Sequence, residues 1–217
     1  MIDATQLSKL SRFPCASWAI WPDDFDQKSH NDVDELTIQF FQDRVELLKP
    51  NPIFVGLNPS GKRGEVGPTS MTFKGFHTLG HRGDQALMAY IQKAGLKKLS
   101  GCYMTDLNCR QVDTGSVNVS AIAEDIGILF DQLQILGKDS YQLICFGNKA
   151  FSLLNRRLDI DPATITTLEH SILCSRGRAR DCDLTMYRVW HYSTRSFNFM
   201  TVIELKAQLH FLDSLLL

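Results

Sequence analysis

The chain has 217 residues, 44% of them hydrophobic and 22% charged, with a formal net charge of −1. This length suits one domain with a sizeable core, and the near-neutral balance argues against nucleic-acid binding through overall charge. Six cysteines without a Cys-x-x-Cys pair argue against a zinc ribbon or a disulfide scaffold, and we expect buried thiols in a reducing compartment.

At the start of the chain, no basic segment precedes an apolar run, and no later stretch reaches the roughly 18 apolar residues of a membrane span. We therefore expect a cytoplasmic protein, a monomer without membrane contact.

Helix and strand patterns alternate along the chain. In order, they predict a helix over 33–48, a strand over 52–57, a helix over 85–94, a strand over 102–107, a helix over 119–136, a strand over 141–146, a helix over 148–157, a strand over 186–192 and a helix over 203–216. Thr201 and Glu204 have the spacing of a capping box for the last helix. The alternation predicts one α/β domain over 1–217, a three-layer α/β/α sandwich with a mostly parallel four-stranded central sheet. Residues 1–49 would pack on it as an N-terminal helical extension.

Polar residues follow each predicted strand, where the functional residues of an α/β sheet are expected. These four groups are Asn58-Pro59-Ser60, Asp106-Leu107-Asn108, Gly147-Asn148 and His191-Tyr192-Ser193-Thr194-Arg195-Ser196. We expect them to converge at one edge of the sheet.

The first of these turns also resembles a phosphate-binding loop, because Gly56 is followed by Gly61-Lys62 at the required spacing. Arg63 stands where that loop needs a Ser or Thr for magnesium, and the residues after it do not predict a helix. We therefore favour another role for this turn.

In motif order, the sequence resembles the uracil-DNA glycosylase superfamily. Gly56-Leu57-Asn58-Pro59 matches the first motif, Gly-x-(Asp/Asn)-Pro, and 191–196 matches the spacing of the last motif, His-Pro-Ser-Pro-x-Ser. The strand at 102–107 stands where these enzymes read the base, and 144–150 where they have a structural strand-to-helix turn. The resemblance covers about residues 50 to 215 and leaves the first 49 without a counterpart.

The resemblance implies two catalytic residues. Asn58 would orient the attacking water, which an amide can do without accepting its proton, and His191 would donate to the oxygen at position 2 of the leaving base. The alternatives are that Asn58 only caps the Pro59 turn and that His191 only bonds backbone at a strand end.

Other residues would hold the flipped nucleotide, which a glycosylase must extrude from the duplex. The base would contact Phe76, Asp106, Ser60 and Leu57. Phe76 would stack on the base, and Phe73 is the other candidate for that role. Either phenylalanine could instead belong to the core. Arg195 would fill the vacated position in the duplex, unless it is an ordinary surface arginine. The remaining predicted DNA contacts are Ser193, Ser196, Lys62, Arg176 and Arg178, the last two from a basic run, 175–180, that could equally be a solvated loop.

Two departures from the family pattern bear on the substrate. Asp106 replaces the usual Asn, and an ionised carboxylate accepts from the amino group of cytosine but repels oxygen 4 of uracil. Unprotonated N3 of cytosine would still repel the second oxygen unless one partner carries a proton. Ser60 replaces the Tyr that blocks carbon 5 in uracil-specific members. The sequence therefore predicts excision of a C5-modified cytosine, such as the hydroxymethylated or glucosylated cytosine of phage DNA, in a setting of antiviral defence.

Three rival hypotheses remain. The first is a repair glycosylase for uracil or mismatched thymine, with Thr105 aligned in place of Asp106. The second is a non-catalytic reader of modified DNA, single- or double-stranded, and the third is a nucleotide hydrolase that uses residues 56–62. No organic cofactor is implied, and His77 and His81 lack a third ligand at metal-binding spacing, so we expect loop histidines and no metal.

Overall fold

The computed structural model describes residues 2–28, 37–57, 73, 76–77, 80–109, 119–192 and 199–216, with the backbone alone at 119–125 and 199–200. These residues form an α/β domain. Its helices are α1 (Ala4–Leu10), α2 (Ile38–Gln42), α3 (Arg82–Met88), α4 (Val119–Leu136), α5 (Asn148–Arg157) and α6 (Phe199–Leu215). Its strands are β1 (Ser17–Trp18), β2 (Lys49–Gly56), β3 (Cys102–Asp106), β4 (Ser140–Phe146), β5 (Thr166–Thr167), β6 (Leu173–Ala179) and β7 (Cys182–Val189).

The described strands form one sheet of seven in the order β1-β3-β2-β4-β7-β6-β5. The central four, β3, β2, β4 and β7, are parallel, and β1, β6 and β5 add antiparallel pairs at the two sides. The predicted mostly parallel sheet of four strands is therefore wrong, since the sheet has seven strands and is mixed, although the four predicted strands are its central, parallel ones. Strands β1 and β5 have two residues each and are too short to show a pattern. Strand β6 alternates exposed arginines with buried Ser175 and Ala179, so it lacks the apolar run by which the others were predicted.

Side chains alternate between the two faces of the sheet, as the strand period of two requires. On β2, Ile53 and Val55 belong to a core with α1, α4 and α5, whereas Phe54 belongs to a second core with α3 and α6. Both faces are thus covered by helices, as predicted for parallel strands.

The observed helix boundaries agree best with the predicted ones where apolar residues recur at the helical period without interruption. Helices α4 and α5 have the predicted bounds. Helix α6 begins at Phe199, so Thr201 lies inside it and the predicted capping box is wrong. Helix α3 begins at Arg82, before the predicted start, and continues into a π-helical turn over Ala89–Lys93.

The N-terminal region is more than a helical extension. Ser17 and Trp18 pair with Met104 and Tyr103, so this region contributes a strand to the sheet. The predicted helix over 33–48 is shorter, because within the described residues only α2 and a 3-10 turn at Val45–Leu47 are helical there.

Two cysteines depart from the expectation of buried thiols. Cys15 and Cys109 form a disulfide across a sequence separation of 94, with Cα atoms 4.9 Å apart. The two cysteines are far apart in the sequence, so the bond could not be predicted from it. The hydrogen bonding of β1 to β3 brings them together. Cys102 and Cys145 are buried thiols, and burial raises their pKa values well above the ordinary range.

Candidate active site

The carboxyl ends of the four central strands form one continuous edge, here called the carboxyl edge and defined by Gly56, Asp106, Phe146 and Val189. Strands β2 and β3 stay in register beyond their ends, since Leu107 N–H donates to Gly56 O and Asn108 N–H donates to Leu57 O, both at 3.0 Å. On the other side, Gly147 N–H donates to Val189 O at 2.9 Å. The groups predicted to converge therefore leave neighbouring strands at the same level.

Asp106 lies across the backbone of Gly56, its register partner on β2. A Cβ atom at position 56 would lie 2.0 Å from Asp106 Oδ1, so only glycine leaves room for this carboxyl group. Asp106 is 4% exposed, and burial, followed by the charge of Asp84, raises its pKa well above the usual range. Both causes favour the neutral carboxylic acid, which has one O–H donor and an accepting oxygen.

The neighbouring Thr105 faces the opposite side of the sheet. Its hydroxyl lies 2.9 Å from Gln132 Oε1 of α4. Side chains of consecutive strand residues point to opposite faces. Asp106, and not Thr105, is therefore the residue of β3 on the face that carries Phe76.

The two candidate stacking rings have different places. Phe73 lies in the core beside Phe41, with ring centroids 4.9 Å apart. Phe76 lies at the carboxyl edge, where its Cζ would be 3.2 Å from a Cβ at Gly56 and its ring centroid is 6.0 Å from that of Tyr192. Its φ of 65° is a left-handed conformation that is unfavourable for a residue with a side chain and that is often found at functional sites.

His191 follows β7 and is held between an aromatic ring and a turn. Its ring stacks on Tyr192, with centroids 5.0 Å apart and planes 11° from parallel. On another side, a Cβ at Gly147 would be 3.5 Å from His191 Cβ, and Gly147 has a φ of 84°, which suits glycine alone. Burial lowers the pKa of His191, so the neutral imidazole is favoured.

Asp84 and His81 were not among the predicted site residues, whereas Tyr192 belongs to the predicted group at 191–196 but had no role assigned to it. Tyr192 is 8% exposed and contacts Phe146, Phe76 and His191 through its ring. Asp84, in the first turn of α3, is 1% exposed and forms an ion pair with His81, whose Nδ1 is 3.1 Å from Asp84 Oδ1. The hydrogen bond with Asp84 raises the pKa of His81. At this point of the chain the sequence predicted only a helix over 85–94, and His81 only as a loop histidine.

His77 lies outside the described helices and strands, as expected of a loop histidine, but its ring is fully buried. Nε2 donates to Ile20 O at 2.9 Å, Nδ1 lies 2.9 Å from Ser17 Oγ, and the ring stacks on Trp21. Within the described part of the chain, no three His, Cys, Asp or Glu side chains come together as a metal would require.

Three predicted contact residues lie away from the carboxyl edge or on the other face of the sheet: Leu57, Arg176 and Arg178. Leu57 packs against the core with α1, α4 and α5, on the face opposite Phe76. Arg176 and Arg178 belong to strand β6 and not to a loop, and they pair in register with Thr185 and Asp183. Because a strand rises about 3.3 Å per residue, Arg178 is about 20 Å from the carboxyl edge. Asn58, Ser60, Lys62, Ser193, Arg195 and Ser196 lie outside the described residues.

One depression in the described surface is remote from these groups. It has a volume of about 560 Å³ and lies at the amino ends of β2 and β4, where residues of both charge signs line it, including Glu46, Lys49, Lys138 and Asp139. None of the residues described at the carboxyl edge contributes to it.

Among the helices that the structure describes, none is long and apolar enough to cross a bilayer. Comparison of the chain with protein-family models and with curated proteins finds no match.

Proposed function

We propose that this protein is a DNA glycosylase that flips a pyrimidine nucleotide out of DNA and removes its base by hydrolysis, with a C5-modified cytosine as the substrate. The observation that carries the proposal is the grouping of Phe76, Asp106 and His191 at one sheet edge, directly where Gly56 leads into the Asn58 motif. An aromatic ring, a hydrogen-bonding acid and an imidazole are the groups needed to stack, recognise and release a base.

The proposed reaction breaks the bond between C1′ of the sugar and N1 of the base. The bonding electrons leave with the base, and the neutral imidazole of His191 donates a hydrogen bond to the developing negative charge on oxygen 2. The oxygen of a water oriented by Asn58 bonds to C1′. The proton of that water passes to solvent, since an amide cannot take it.

A neutral Asp106 avoids the repulsion between an ionised carboxylate and the unprotonated N3 of cytosine. Its O–H can donate to N3 while its other oxygen accepts from the amino group at position 4, so both polar atoms of that edge of the base are satisfied. The same acid could also donate to oxygen 4 of uracil and accept from its N3–H. This second arrangement favours a uracil glycosylase as the alternative function.

A panel of duplex oligonucleotides separates these functions. Each carries uracil, cytosine, 5-hydroxymethylcytosine or its glucosylated form at one position, and alkali converts any abasic site into a strand break. We expect breaks at a modified cytosine. Breaks at uracil alone would establish the alternative, and tight salt-sensitive binding without breaks would indicate a non-catalytic reader. Magnesium-dependent phosphate release from a nucleotide would instead revive the hydrolase hypothesis.

A further inference from the structure

Arg188, the last residue but one of β7, is a buried cation that the proposed reaction does not use. It is 8% exposed, and its register partners on the neighbouring strands are the uncharged Cys145 and Leu173. Burial lowers its pKa and the charge of Glu204 opposes that change, but a guanidinium stays protonated at neutral pH. Among the residues that the structure describes, no carboxylate forms an ion pair with it. Arg188 is therefore a positive charge without a bound counter-ion.

Most hydrogen-bond donors of Arg188 are also unused. Nη2 donates to Ser171 O at 3.0 Å, but within the described part of the chain Nε and Nη1 have no hydrogen-bond partner. The guanidinium lies over the ring of Trp190, 5.3 Å from its centroid, and Trp190 Nε1 is likewise buried without a partner there. We call Arg188 and Trp190 the donor pair. Buried unsatisfied donors cost free energy, and neither side chain carries an acceptor, so the donor pair fits an anion.

The turn that binds Nη2 is strained and lies at the surface. His170 and Ser171 are consecutive exposed residues with φ values of 55° and 57°, left-handed conformations that are unfavourable for residues with a side chain. Gln208 of α6 joins this turn to the donor pair, since its Nε2 donates to His170 O and its Oε1 accepts from Trp190 N–H, both at 2.8 Å. Strain of this kind is often found at ligand-binding sites. The donor pair is thus directly bonded to an exposed turn.

We propose that the donor pair is an anion site that takes a phosphate group, held by the guanidinium of Arg188 and the indole N–H of Trp190. A phosphate compensates the unpaired charge, and its tetrahedral oxygens can meet donors that point in different directions, which a planar carboxylate cannot. The Ser171 carbonyl gives up Nη2 to the ligand, which lets the strained turn relax. The site is at the carboxyl end of β7, where a free phosphate ion or a phosphodiester of bound DNA supplies the group. It goes beyond the proposed function, because phosphate binding requires no base release.

The first test is thermal unfolding with inorganic phosphate or chloride at equal ionic strength. Phosphate at about 100 times its dissociation constant should raise the melting temperature of the wild-type protein by about 5 °C or more. Arg188→Gln should lose this rise, and in chloride it should melt no lower than the wild-type protein, because it buries no unpaired cation. The matched control is Arg157→Gln, which removes an exposed arginine at the end of α5 and should respond as the wild-type protein does. A general salt effect of phosphate would act on all three proteins alike.

Binding of an unmodified DNA duplex, measured without phosphate, distinguishes the two sources of the group. If DNA supplies it, Arg188→Gln should weaken binding by at least about tenfold and reduce the salt slope by about one. A phosphate response that depends on Arg188, with unchanged DNA binding, would identify a free ion. If neither phosphate nor DNA distinguishes Arg188→Gln from Arg157→Gln, the proposal is overturned. Absence of base release by the wild-type protein would reject the glycosylase function and leave the anion site intact.

Trp190 reports binding without any change at Arg188. In nitrogen-15 correlation spectra of the wild-type protein, its indole N–H resonance should shift and saturate as inorganic phosphate or duplex DNA is added. Trp190→Phe assigns this resonance. The indole of Trp21, which donates to Phe76 O at 3.1 Å, is the internal control for phosphate and should not move. A Trp190 resonance that stays unmoved with both ligands would overturn the proposal even if Arg188→Gln failed to fold.

Discussion

Ionisable side chains are buried at one end of the central strands and exposed to solvent at the other. At the carboxyl edge, Asp106 and Asp84 are almost completely buried beside the partly buried His191. At the other end, Arg178 of β6 and Arg180 of the turn that follows it pair with exposed carboxylates at 3.5 Å and 2.8 Å. Charges in water interact weakly, whereas buried ionisable groups lower stability unless protonation or a partner compensates them.

This difference is the one expected between the proposed site and a solvated surface. The two arginine–carboxylate pairs at the other end are exposed to solvent, so each contributes little to the free energy of unfolding. Burial at the carboxyl edge disfavours charge on His191 and Asp106, and perturbed groups of this kind cluster at catalytic sites. Substitutions at the two ends should therefore differ in their effects on activity, on stability and on the dependence of both on pH.

The largest expected effect is on catalysis. His191→Asn removes the imidazole donor from the leaving base, and we expect base release to slow by about 10²- to 10³-fold. Thermal unfolding should change little, because the ring is only partly buried. His210→Asn, an exposed position on α6, is the matched control and should keep full activity. A His191→Asn protein with undiminished release would remove His191 from the mechanism.

The next effect concerns the covalent link three residues beyond Asp106. The Cys15–Cys109 bond closes a long loop, so its reduction should lower the free energy of unfolding by about 2–4 kcal/mol. Urea unfolding with and without reductant measures this, and the Cys15→Ser/Cys109→Ser variant should not respond to reductant. Titration of the denatured, unreduced protein should find four thiols, six cysteines less the bonded two. Six thiols would show that the bond is absent.

Asp106→Asn tests the cost of burying an acid at the carboxyl edge. The folded pKa of Asp106 is raised, so its contribution to stability is complete below the unfolded pKa and is lost as pH rises through the folded one. At a pH above the raised pKa of Asp106 the variant should be more stable than the wild-type protein, and the difference should shrink on acidification. A difference independent of pH would contradict the assigned protonation.

The smallest effect is expected at the opposite end. Arg178→Gln breaks an exposed ion pair, so the free energy of unfolding should change by less than about 0.5 kcal/mol. DNA binding should keep the same salt dependence, because Arg178 is remote from the carboxyl edge. A shallower salt slope would show that the duplex does contact this strand, as the sequence predicted.

The central fold could be predicted because its strands are apolar runs buried on both faces. Strand β6 could not, since its exposed arginines resemble a solvated loop until the partner strand is known. The same limit applies to the disulfide, because no sequence pattern reports that β1 pairs with β3.

The site could be predicted as far as the motifs extend. Asp106 and His191 were found because they follow strands, but the neutral state of Asp106 depends on burial and on Asp84, which only tertiary contacts create. Phe73 and Phe76 are indistinguishable in sequence and lie in different cores. His81 and Asp84 carried a signal, an acid three residues after a histidine at a helix start, that indicates capping more readily than a place at a site.

The most direct test of the central claim is a crystal structure of the protein with duplex DNA that carries a non-cleavable 2′-fluoro analogue of 5-hydroxymethylcytidine. We expect the base outside the duplex, stacked on Phe76, with its N3 and amino group on Asp106 and its oxygen 2 on His191. A duplex bound elsewhere on the protein, or a target base still stacked between its neighbours, would contradict it.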